Sequence, residues 1–130
     1  LILIDTSALF ACLDRADAEH GRAVATFDEL SEADDLVTHT YVVVETASLV
    51  QRRLGSGSTR ALFDDLLPAV QTLGVDDAVH HAAVAALIAS GSRSVSLVDW
   101  TSFEVMRRLG IEEAFAFDED FARQGFAVRP

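Results

Sequence analysis

Short apolar runs alternate with stretches of helical periodicity along the whole chain. Leu1-Ile2-Leu3-Ile4 reads as a buried strand, and Leu36-Val37-Thr38, Val70 to Val75, Ala114 to Phe117 and Phe126-Ala127-Val128 read as further strands. Between them lie helices. One runs from about Thr6 to Leu13, and a second opens at Asp17, Ala18 and Glu19 and carries Val24, Phe27 and Leu30. A third starts at Thr40, with Val43, Ala47, Val50 and Leu54 spaced four, three and four apart, and Gly55 stops it. Ser56-Gly57-Ser58 is expected to be a polar turn before a helix through Ala61, Leu62, Phe63, Leu66 and Leu67 that Pro68 closes. Asp76 or Asp77 caps an alanine-rich helix reaching Ala89, stopped by Gly91. The last helix begins at Asp99, buries Phe103, Met106 and Leu109, and ends at Gly110. Strands separated by helices imply a parallel sheet covered on both faces. The expected fold is a three-layer α/β/α sandwich around four to five mostly parallel strands. No repeat, low-complexity tract or linker divides residues 1–130, so one domain is expected.

Half of the 130 residues are hydrophobic, which argues against disorder. Charge is lopsided: 21 acidic residues face 10 basic ones, all arginine, for a net charge of −11. Such acidity disfavours diffuse binding to nucleic acid and suits a basic partner or a pocket that holds cations. Cys12, the single cysteine, excludes an internal disulfide and a thiolate zinc cluster, and its apolar neighbours make it a core filler. Asp5 interrupts the first apolar run too early for a secretory leader, and no stretch approaches the ~20 residues of a membrane span. A cytoplasmic protein is expected.

Four carboxylates stand where apolar runs end: Asp5, Glu45, Asp99 and Asp118. In a parallel sheet those ends share one edge, where ligands bind in open α/β folds. Negative groups converging there raise one another's pKa unless cations neutralise them, and hard divalent ions prefer oxygen ligands. That is the outline of a metal-dependent phosphoryl-transfer site. Three of these acids have a plainer explanation, and Asp118 ranks as a primary ligand. Asp5 and Asp99 could be helix caps, and Glu45 could pair with Arg52, seven residues on. Asp120, two residues after Asp118, could reach the same cavity as an auxiliary ligand or stay solvated. Joint placement carries the argument.

The segments Leu3-Ile4-Asp5-Thr6-Ser7-Ala8-Leu9, Val43-Val44-Glu45-Thr46-Ala47-Ser48-Leu49, Ser96-Leu97-Val98-Asp99-Trp100-Thr101-Ser102-Phe103 and Ala116-Phe117-Asp118-Glu119-Asp120-Phe121 resemble, in this order, the PIN-domain ribonucleases. The likeness is strongest to the VapC-type toxins of bacterial toxin–antitoxin pairs. It implies a PIN-like fold and an acidic cluster at Asp5, Glu45, Asp99 and Asp118 that holds one or two Mg²⁺ or Mn²⁺ ions. Thr6 and Ser102 would orient those ligands. The implied reaction is hydrolysis of an RNA phosphodiester to a 5′-phosphate and a 3′-hydroxyl. A cognate antitoxin and a toxin homodimer are implied partners. Two departures stand out: Trp100 follows the third acid where the family often has a small residue, and Ala116 replaces a frequent hydroxyl. Arg52, Arg53 and Arg107 could rim the cleft for RNA, and Trp100 could stack on a base or pack in the core.

Rival folds lack their chemistry. A receiver domain needs a lysine, and the chain has none; a haloacid-dehalogenase phosphatase needs an aspartate at position 7, which is Ser7. No Gly-x-Ser-x-Gly elbow is present, and His20, His39, His80 and His81 lack zinc spacing. Two alternatives stay open: an acidic protein-interaction module of the same fold without nuclease activity, and a DNA-directed nuclease.

Overall fold

A computed structural model describes residues 1–130. The chain runs β1 (Ile2–Ile4), α1 (Thr6–Leu13), α2 (His20–Glu32), β2 (Leu36–His39), α3 (Thr40–Arg53) and α4 (Ser56–Ala61). A π-helical turn (Leu62–Leu66) and a 3₁₀ turn (Leu67–Ala69) follow, then β3 (Gln71–Leu73), α5 (Asp77–Ser90) and α6 (Leu97–Leu109). The chain closes with β4 (Glu113–Phe115), α7 (Asp120–Arg123) and β5 (Ala127–Arg129). All five strands pair in parallel in the order β3-β2-β1-β4-β5. The expected α/β/α sandwich is the observed one. No helix is long and apolar enough to cross a membrane.

Alternation along β1 divides the core. Ile2 and Ile4 point to the layer of α1 and α2, with Leu9, Phe27 and Leu30, while Leu3 points to the layer of α6, with Phe103 and Met106. The helices between strands end as composition demands. Gly91 and Gly110 take φ values of 60° and 68°, the left-handed conformation that closes α5 and α6. Asp76 caps α5 by accepting from the Val79 amide at 2.9 Å.

Three local expectations give way. Ser56-Gly57-Ser58 is the first turn of α4 rather than a turn before it. Leu109 is exposed, although Met106 one turn earlier is fully buried; Leu109 stands at the rim of an open cavity beside Leu73 and Val105. On α3 the buried stripe is Val42, Thr46 and Val50, one position back from the expected Val43 and Ala47. Tyr41 to Val44 is apolar all round the helix, so periodicity admits neighbouring registers. Thr46 can face inward because its hydroxyl donates to Thr6 Oγ1 at 3.1 Å.

The rotated stripe makes a direct test. Val50→Ala should lower unfolding stability by about 2 kcal/mol, and Val44→Ala should change it by less than about 0.5 kcal/mol. Urea unfolding midpoints read the order; the larger loss at Val44 would put the wrong face of α3 inward.

Candidate active site at the carboxyl edge of the sheet

Chain order reverses its direction across the sheet between β1 and β4, and the carboxyl ends of these two strands open the crevice expected at such a switch point. Asp5 is the residue after β1, and its amide donates to Phe115 O at 3.1 Å, extending the ladder to β4. It caps α1: Asp5 Oδ2 accepts from the Ser7 hydroxyl at 2.8 Å and the Ser7 amide at 3.2 Å. Ser7 Oγ in turn accepts from the Phe117 amide at 3.0 Å, binding the start of α1 to the segment that leads to Asp118. The other carboxylate oxygen, Asp5 Oδ1, is buried without any partner.

Asp99 lies in the first turn of α6, in a capping box with Ser96: its amide donates to Ser96 Oγ at 3.1 Å, and its Oδ2 accepts from the Ser96 amide at 2.9 Å. Asp118 Oδ1 accepts from the Asp120 amide at 2.9 Å. Carboxylate oxygens of Asp99, Asp118 and Asp120 come within 4.8 Å of one another. Asp120 is the more buried of the last pair, and its Oδ1 accepts from Arg123 at 3.0 Å. Glu45, half-buried on the second turn of α3, is near enough for its charge to act on Asp99.

Crowding without a cation shows in the proton affinities. Burial lifts the Asp5 carboxyl to about 7 against the pull of the Ser7 hydrogen bonds, and the Asp99 charge raises it further. Burial also lifts Asp99, to about 6, opposed by the Ser96 amide and helped by Asp118 and Glu45. Asp118 is raised too, by burial first and then by Asp120, while Arg123 opposes the shift. An all-oxygen donor set, an orphaned buried Asp5 oxygen and three carboxylates at shared distance fit a hard divalent cation.

The expected orienting hydroxyls bond elsewhere. Thr6 Oγ1 accepts from Thr46, and Ser102 Oγ meets His39 and Val98 O, so Ser7 and Ser96 hold the carboxylates instead. The Ser96-Leu97-Val98-Asp99 spacing was the available signal for Ser96. Arg107 sits at the opposite end of α6, eight residues or ~12 Å from Asp99, donating to Gln124 and lying over Phe126. It does not rim the acids, because α6 runs away from them toward the start of β4. Arg52 and Arg53 occupy the exposed last turn of α3, also beyond the acids. Arg123, on the short α7 that periodicity missed, is the arginine that meets the cluster. Trp100 packs edge-on against Phe103 with a buried, unpartnered indole N–H, so the core holds the ring. A surface cavity of about 710 Å³ at the far end of α1 is lined by Cys12, Leu13, Asp14, Arg15 and His20 and contains none of Asp5, Glu45, Asp99, Asp118 and Asp120.

Residues 2–127 match the family model described as the PIN domain. Over 132 aligned positions the chain is 36% identical to the 23S rRNA-specific endonuclease VapC20 of Mycobacterium tuberculosis, covering all of this chain and 99% of that protein. It is 40% identical to Ribonuclease VapC26 of the same organism over 65 residues, half of this chain and 47% of that protein. The crystal structure of M. tuberculosis VapC20, described as a sarcin–ricin-loop-cleaving toxin, superimposes with a TM-score of 0.86 at 35% identity over 100% of both chains. FitAcB from Neisseria gonorrhoeae shares the fold at 20% identity and a TM-score of 0.72, over 100% of this chain and 97% of that one.

Raised carboxyl pKa values have a definite sign. Between about pH 4 and 7 the ion-free folded protein holds more protons at Asp5 and Asp99 than the unfolded chain, so stability falls as pH rises across that window. In chelator, Tm should be lower at about pH 7.5 than at about pH 5.5, and Asp5→Asn should recover roughly 1–3 kcal/mol at the higher pH. Mn²⁺ should remove the deficit of the wild type. A chelated Tm that climbs with pH would contradict the crowding.

Proposed function

The chain belongs to the PIN-domain family, and from that membership we propose that it is a divalent-metal-dependent endoribonuclease acting as the toxin of a toxin–antitoxin pair. The observation that carries the reading is the meeting of Asp99, Asp118 and Asp120 beside a buried Asp5 oxygen that nothing satisfies. Asp5, Glu45, Asp99 and Asp118 would hold Mg²⁺ or Mn²⁺, with Asp120 completing the set. When bound, the ion supplies Lewis-acid stabilisation of the charge that builds on the scissile phosphate and makes water more acidic.

The chain's own groups do the rest. Ser7 and Ser96 each engage one oxygen, of Asp5 and of Asp99, by hydrogen bonding it, which would leave the other oxygen of each for a cation. The Ser96 amide favours the ionised form of Asp99 and offsets part of the burial that favours its proton. Arg123 balances Asp120 at 3.0 Å and Glu119 at 3.1 Å, limiting the excess negative charge beside an anionic substrate. The substrate we propose is a folded loop of large-subunit ribosomal RNA, because the relative that aligns along its whole length is described as 23S rRNA-specific. A net charge of −11 agrees with recognition of one structured RNA at a few contacts rather than tight general binding. Residues 1–130 acting as one domain, a cytoplasmic site of action, a cognate antitoxin and a homodimer belong to the same reading.

Sequencing of 5′-phosphate ends in total RNA tests it. Wild type with Mn²⁺ should produce one dominant cut in 23S rRNA, and Asp99→Asn should reduce it by at least about a hundredfold. Cuts scattered through messenger RNA would overturn the substrate, and intact RNA throughout would leave the interaction-module reading in its place.

A further inference from the structure

Beneath the carboxylates lies a layer of buried polar side chains that the reaction itself does not use: Thr6, Thr38, His39, Thr46, Thr101 and Ser102. His39 is the one titratable member, with no exposed surface. Its ring spans two helices. The Val42 amide donates to His39 Nδ1 at 3.4 Å, capping α3, and His39 Nε2 stands 2.8 Å from Ser102 Oγ on α6. These contacts settle the tautomer. Nδ1 must present a lone pair to the amide, so Nε2 carries the hydrogen and donates it to Ser102 Oγ. Ser102 Oγ then donates its own hydrogen to Val98 O at 3.1 Å. Every hydrogen in the relay has one acceptor, and a charged ring would leave Nδ1–H facing another donor. Burial accordingly lowers the His39 pKa to about 4, keeping the ring neutral.

We propose that His39 is a positioning residue for the acidic site, tying the start of α3, which carries Glu45, to the start of α6, which carries Asp99. The inference rests on the metal-dependent reading above. Glu45 lies six residues beyond His39, and Asp99 directly follows the Val98 whose carbonyl ends the relay. Helices α3 and α6 meet, but the buried stripe of α3 is turned to α1: Val42 packs in the cluster of Ala8 and Leu9, and Thr46 donates to Thr6 Oγ1. Packing of that kind tolerates small sliding of α3 against α6. A directional relay through one fixed tautomer does not. The ring thereby sets the separation of two carboxylates on different helices without touching either.

Stereochemistry separates the two ends of the ring. In His39→Asn the amide oxygen reaches the position of Nδ1 and keeps the α3 cap, but nothing reaches Ser102. In His39→Gln the amide nitrogen reaches the position of Nε2 and keeps the Ser102 link. Calorimetric titration of chelator-stripped protein with Mn²⁺, alongside circular dichroism and Tm, reads the difference. His39→Asn and Ser102→Ala should each weaken Mn²⁺ about tenfold or more, and their combination should be no weaker than the weaker single variant. His39→Gln should bind within about threefold of wild type. Wild-type Mn²⁺ affinity in folded His39→Asn, or equal weakness in His39→Gln, overturns the proposal. Should His39→Asn not fold, Ser102→Ala decides: unchanged affinity there removes the link. Wild type that binds no Mn²⁺ would remove the metal site itself and this proposal with it, whereas a binding wild type with indifferent variants removes the link alone.

Discussion

Because β1 and β4 are neighbours and parallel, although 108 residues separate the end of one from the start of the other, their carboxyl ends deliver Asp5 and the segment carrying Asp118 to the same edge of the sheet. A one-residue slip in that pairing would turn Asp5 toward a helix layer. Two bonds hold the register at the edge: the Asp5 amide to Phe115 O and the Phe117 amide to Ser7 Oγ. Asp99 depends on the same pairing, since α6 packs Phe103 and Met106 on the sheet layer that Leu3 and Ala114 share. The acidic cluster is therefore a consequence of sheet order, and its precision comes from hydroxyls and amides at helix starts.

That assembly works against the fold when no cation is present. Carboxylates that the unfolded chain would leave in water are drawn into a crevice where burial and mutual repulsion favour their protonated forms. Arg123 pairs with Asp120 and Glu119 and its charge also acts on Asp118, but no arginine pairs with Asp5 or Asp99. Strain of this kind is common where a site is shaped for a ligand rather than for the stability of the empty protein. The net charge of −11 also extends over the surface, where such acidity disfavours general attraction to nucleic acid.

Helix starts do several tasks at once here. Asp5 opens α1, His39 opens α3 and Ser96 opens α6, and each satisfies backbone amides while holding a group of the site or of the layer below it. Capping and positioning share the same atoms. An aspartate that looks like an ordinary cap in a list of residues is, in this geometry, also a carboxylate with one oxygen to spare.

Much of this was legible in the residues. The apolar runs and glycine stops located every strand and all the long helices; of the acids at the ends of those runs, Asp99 and Asp118 meet with Asp120, while Asp5 and Glu45 lie near enough to interact with Asp99 through their charges. Such features belong to single elements, where local pattern and burial go together. The face of α3, the exposure of Leu109, the partners of Thr6 and Ser102 and the reach of Arg123 were not legible. Each depends on what lies opposite in space: Ser7 meets Phe117 across 110 positions and His39 meets Ser102 across 63. By itself the sequence settled the strands, the long helices and the carboxylates that follow apolar runs, because hydrophobic periodicity is a local property. Only the tertiary structure decided which hydroxyl holds which acid and which arginine comes near, because those are choices made by packing between elements that the chain keeps far apart.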